Sequence, residues 1–217
     1  MNNAQKRVVV MTMAFAILLQ GCQTVYYGAM EKAGIHKRDI MVDRVEKARD
    51  SQAEAKEQFK NALDRFTTVL NIKGGKLEEK YKVLQEEYDL SEEKAEAVHS
   101  RIAKVEDVSE ALFEEWEDEL KQYSSAKLRA DSEKKLTRTK RQYKNLIAAM
   151  KKAEKKIKPV LTAFKDQVLY LKHNLNAQAI SSLKNELVAV EDDIASLIKE
   201  MEASIREADA FITSLAE

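Results

Sequence analysis

From Lys76 to Glu217 the chain runs for 142 residues without a glycine and with a single proline, Pro159. Strands and tight turns are punctuated by Gly, Pro, Asn and Asp. A stretch this long, almost free of the first two, is built to be helical. Charged residues make up 34% of the chain and aromatics only 6%. That balance suits long helices with much surface better than a globule with a thick core.

The apolar residues set how such helices pack. In a first helix over residues 36–72, Met41, Val45, Ala48, Gln52, Ala55, Phe59, Ala62, Phe66 and Val69 recur at alternating spacings of four and three. A second region starts near Leu77. Its seam is Leu77, Tyr81, Leu84, Tyr88, Ser91, Ala95, Val98, Ile102, Val105, Ser109, Leu112, Trp116, Glu119 and Tyr123. A third region, roughly 131–175, carries Leu136, Tyr143, Leu146, Met150, Ala153, Ile157, Val160, Phe164 and Leu171. A fourth, from about Ala177, carries Ile180, Leu183, Leu187, Val190, Ile194, Leu197, Met201, Ser204, Ala208, Phe211 and Leu215. A sustained 3.5-residue repeat means left-handed coiled-coil packing. No helix can bury such a stripe alone, and short connections favour antiparallel neighbours. The expected fold is all-α: an elongated antiparallel coiled-coil bundle of about four long helices. Turns are expected at Lys73-Gly74-Gly75-Lys76, near 127–132 and at Asn174-Leu175-Asn176. A kink is expected at the possible N-cap in Asp89-Leu90-Ser91-Glu92, and a kink or short break before Pro159.

The N-terminus has a different character. Met1–Arg7 holds Lys6 and Arg7 and no acid, Val8–Leu19 is apolar except for Thr12, and Leu19-Gln20-Gly21-Cys22 follows. A basic start, an apolar middle and a small residue before the cut describe a secretory signal. Crossing a bilayer takes about 20 apolar residues, and this run is shorter. The last four residues resemble the bacterial lipobox, with Gln20 a less usual occupant of its slot. The expected division is a signal peptide over 1–21, cleaved between Gly21 and Cys22, a lipidated Cys22 with a short tether over 22–35, and a helical domain over 36–217. Cys22 is the only cysteine, so no internal disulfide forms. Its expected load is a diacylglycerol and an N-acyl chain of the palmitate type, at about 0.8 kcal/mol of membrane affinity per buried methylene. No other cofactor is expected. Gln23 follows, where Asp favours inner-membrane retention in enteric-type bacteria. The expected location is the outer membrane, on its periplasmic face. Tyr26 and Tyr27 fit either the headgroup level or packing against the first helix.

Net charge is zero, and loss of Lys6 and Arg7 leaves −2, so no global positive charge draws the chain to nucleic acid. Charge is locally uneven. Residues Glu106–Glu119 hold eight acids and no base, and Lys134–Lys158 eleven bases and one acid, Glu154. Antiparallel pairing sets these runs side by side. The basic run extends further from the turn, which leaves Lys151, Lys152, Lys155 and Lys156 as a candidate surface for an anionic partner such as lipid.

Residues that carry chemistry are scarce. His36, His99 and His173 are far apart with no metal-ligand spacing, so no metal is expected. Lys73-Gly74-Gly75-Lys76 lacks the first Gly, the Ser/Thr and the preceding strand of a phosphate loop. No nucleophile elbow or dinucleotide fingerprint occurs. The expectation is a protein without catalytic activity.

Tyr26-Tyr27-Gly28-Ala29-Met30-Glu31, Gly34-Ile35-His36-Lys37-Arg38-Asp39-Ile40 and Val45-Glu46-Lys47-Ala48-Arg49-Asp50 resemble an uncharacterised proteobacterial lipoprotein family, one of the domains of unknown function. The resemblance extends over most of the chain after Cys22, including Leu171–Asn176. Some members carry the label DNA repair ATPase, which the absent phosphate loop and the signal peptide oppose. It implies no catalytic residues. The leading expectation is a membrane-anchored periplasmic scaffold or spacer that binds an envelope protein, the cell wall or itself. The second is a lipid-binding or membrane-shaping bundle that uses the basic stretch 134–158.

Overall fold

The structure, a computed structural model, describes residues 26–71, 76–174 and 177–216. The expected signal peptide, Cys22, the Gly74–Gly75 turn and Leu175–Asn176 lie outside the described residues. Five helices occur among those described: α1 over 26–32, α2 Lys37–Asn71, α3 Leu77–Leu120, α4 Ala126–His173 and α5 Ala177–Ala216. The four long ones form a closed ring in which α2 packs on α3 and α5, and α4 on α3 and α5. Ion pairs fix their directions. Arg44 reaches Asp107 and Lys94 reaches Glu54, so α3 runs against α2. Arg49–Asp209 and Lys56–Glu202 set α5 against α2. The result is an antiparallel all-α bundle whose longest helix, 48 residues, spans about 72 Å at 1.5 Å per residue.

The heptad positions meet in the middle. All nine seam residues of α2 are buried, as are ten of the eleven on α5, with Ile180 half-buried. Phe66 and Phe164 stack across the bundle from α2 to α4 at 4.5 Å between centroids. Near the α3–α4 turn, Phe113, Tyr143 and Phe211 make an edge-on chain through three helices. Such pairs contribute about 0.5–1.5 kcal/mol beyond their buried area.

Five expectations need correction. The α3–α4 turn is earlier, at 121–125, because the Ser125 side chain caps α4 by accepting from Leu128 N–H; residues 127–132 are already helical. Pro159 does not break α4. Ala153, Ile157, Val160 and Phe164 are buried on both sides of it, and that packing outweighs the roughly 3 kcal/mol a helical proline costs. Ser91 caps nothing. Its hydroxyl donates to the Glu87 carbonyl within an unbroken α3, the back-bond open to a mid-helix serine. The stretch read as a tether contains α1. Finally, of the α3 seam positions, Glu119, in the last turn of the helix, and Tyr123, beyond its end at Leu120, are exposed.

Candidate functional site

α1 ends in a left-handed glycine. Gly34 has φ 81°, Gly34 N–H donates to Glu31 and Ile35 N–H to Met30, the pattern that closes a helix and reverses the chain. Asp39 then accepts from His36 N–H at the start of α2. This reversal lays α1 in the outer groove between α2 and α3. Tyr27 is buried there. Its hydroxyl donates to Asp107 at 2.6 Å and accepts from Arg44 at 2.8 Å, and Arg44 also bonds Asp107 at 2.6 Å. Burial and the Asp107 hydrogen bond push the Tyr27 phenol up. Of the two placements open to these tyrosines, Tyr27 takes the packed one; Tyr26 stays exposed over Arg44.

One turn on, Lys37 lies 2.6 Å from both Glu31 and Glu115. Burial pulls the Lys37 ammonium down, but hydrogen bonds to the two carboxylates outweigh it and hold it above its ordinary value. Burial, with Glu31 beside it, raises the Glu115 carboxyl. Hydrogen bonds from Glu115 and Lys37 lower Glu31. Two small clusters therefore clasp α1 to the bundle. Sequence reasoning missed this clasp because seven residues carry too little periodicity to stand out.

The second feature is charge. α3 holds 16 acidic and 5 basic residues, and α4 holds 15 basic and 4 acidic ones. They pack side by side as the runs implied. Lys140 pairs with Glu117, Lys151 with Glu106 and His99 with Glu154. The acidic run also serves α2 through Arg44 and Lys37. Of the four lysines expected to remain unpaired, Lys151 is taken by Glu106 and Lys152 by Glu200 of α5 at 3.0 Å. Lys155 and Lys156, with Lys158 beside them, are exposed and have no ion-pair partner among the described residues. They form an outward ridge on α4.

The core holds polar groups as well. The side-chain nitrogen and oxygen of Gln52, those of Gln167 and the Ser204 hydroxyl are buried without a protein partner. The pairs Arg49–Asp209 and Lys56–Glu202 place Gln52 and Ser204 at one level of the α2–α5 seam. Gln167 lines a groove of about 480 Å³ between α4 and α5, with Asp166, Tyr170, Glu186 and Asp193.

Among the described residues, no group of three or more His, Cys, Asp or Glu is placed to hold a metal ion. None of their helices is long and apolar enough to cross a membrane. A protein family described as "Protein of unknown function (DUF2959)" matches residues 26–215. The match starts at α1, so the clasped helix falls within the family's domain. No curated protein matches the chain.

Proposed function

This chain belongs to the family of proteins of unknown function DUF2959, and we propose that it is a lipid-anchored, non-catalytic scaffold of the bacterial envelope. In this reading residues 1–21 are removed and Cys22 carries the acyl chains. The bundle sits on the periplasmic face of the outer membrane and binds an envelope protein or a second copy. The observation that carries the binding role is the α4 ridge. Lys155, Lys156 and Lys158 are exposed and have no ion-pair partner among the described residues, just beyond Lys140, Lys151 and Lys152, which reach acids of α3 and α5. Unpaired charge on a rigid helix attracts an anionic surface and steers its approach.

A photo-crosslinker at position 155, with a control at Asn61 on α2, tests this in intact cells. Capture of one acidic envelope protein from 155 and not from 61 is the expected result. Equal capture from both positions, or turnover of a substrate by the purified chain, contradicts it. The same ridge supports the second reading, a bundle that binds anionic lipid. In that case Lys155→Glu with Lys156→Glu abolishes co-sedimentation of the non-lipidated chain with phosphatidylglycerol vesicles. Under the scaffold reading such vesicles bind neither form.

A further inference from the structure

α1 folds back along the bundle instead of leading away from it. Glu31 sits beside Lys37 and Glu115, while Tyr27 sits beside Arg44 and Asp107. Passing from Glu31 to Tyr27 therefore moves away from the α3–α4 turn and toward the middle of the bundle. Asp107 lies thirteen residues before the end of α3 at Leu120, about 20 Å along the axis. Cys22 lies four residues before Tyr26, and four residues reach at most about 14 Å. A bilayer under the end of the bundle would lie beyond Leu120, out of reach of that tether. The chain leaves from the flank.

We infer that the bundle, held at Cys22, lies along a zwitterionic lipid surface with its α1–α2–α3 flank down and the α4 ridge turned away. This rests on the lipid anchoring proposed above. The exit point suits a headgroup layer: Tyr26 is exposed at it and Ile35 beyond the other end of α1, and Tyr is enriched at that depth. Glu110 and Glu114 line the groove beside α1, which disfavours anionic headgroups. α4 and α5 close the far side of the ring. Helix axes 8–10 Å apart, with side chains, hold the outer face of α4 roughly 20 Å above the lipid. That exceeds twice the screening length of about 8 Å at physiological salt. The bilayer that holds the anchor is therefore not the surface that Lys155 and Lys156 meet.

The chain from Cys22 onward, coupled through that thiol to a maleimide phospholipid in phosphatidylcholine bilayers, tests the posture whether or not cells lipidate the cysteine. Neutron reflectometry on a supported bilayer reads the layer thickness, and lysine acetylation with mass spectrometry reads the face. The expected layer is about 20–30 Å thick. Lys47 on α2, three residues from Arg44, reacts severalfold more slowly than in the uncoupled chain, and Lys155 and Lys156 at an unchanged rate. A layer near 70 Å, the length of α4, overturns the inference. So does equal protection of both faces, or protection of α4 alone.

Discussion

Replacing Gln52 with leucine is expected to stabilise the bundle, although glutamine occupies the position in the native core. The Gln52 side chain is fully buried and neither its nitrogen nor its oxygen has a protein partner. A buried polar group without a partner costs about 1–3 kcal/mol. Leucine removes that cost and is close enough in size to fill the same layer. For a chain of this size each kcal/mol moves the melting temperature by roughly 2–4 °C, so the expected rise is about 2–12 °C. Ser204→Ala, at the same level on α5, removes a second orphan hydroxyl and is expected to add a smaller gain. Neighbours at one layer need not be additive, so both single variants and the double variant belong in the set. Thermal unfolding followed by far-ultraviolet circular dichroism measures it, with urea titration as a second probe. A loss of more than 1 kcal/mol for Gln52→Leu, beyond the strain of a swapped side chain, would refute the reasoning. It would mean that water satisfies the amide and that the polar layer stabilises the bundle. A gain fits a layer kept for register, as a lone polar seam residue does in coiled coils.

Other expectations are as direct. Phe66→Ala removes one ring of the Phe66–Phe164 stack and is expected to cost about 3–5 kcal/mol, read as a lower urea midpoint at constant slope. Tyr27→Phe deletes the hydroxyl that joins Arg44 and Asp107. A hydrogen bond to a charged group contributes about 1.5–3 kcal/mol, so amides of α1 should exchange about tenfold faster or more while the melting temperature holds. The Glu154 hydrogen bond raises the His99 imidazole above 6.5. Its stabilising pair with Glu154 is therefore complete below 6.5 and fades as pH rises through the raised value. The melting-temperature difference between the chain and His99→Gln should be larger in mildly acidic than in mildly alkaline buffer. It should stay small in both, because the ring is mostly exposed.

Much of the bundle was legible because its packing follows one rule. Every seam position read on α2 is buried, down to Gln52, since a strict heptad leaves no doubt about which face turns inward. The rule fails where polarity hides a core position. Thr139 and Gln167 complete the α4 seam and are buried, yet neither looks apolar. It fails again at Val108 and Phe113, buried on α3 beside the seam. At Pro159 and Ser91 the helices stay unbroken, because local signals for a break lose to packing on both sides. The charge runs were read correctly as neighbours. Of the four lysines read as free, Lys155 and Lys156 have no ion-pair partner among the described residues; Glu106 of the acidic run takes Lys151, and Glu200 on α5 takes Lys152, which no pattern within the two runs foretells. α1 was the largest omission. Gly34 was visible, but the clasp depends on Asp107 and Glu115, some eighty residues away.

The proposed anchoring is tested most directly by metabolic labelling with palmitate, comparing the native chain with Cys22→Ser. The account predicts label on the native chain, none on the variant, and a mature N-terminus at Cys22. Label retained by Cys22→Ser, or an unlabelled native chain that still begins at Met1, would contradict it.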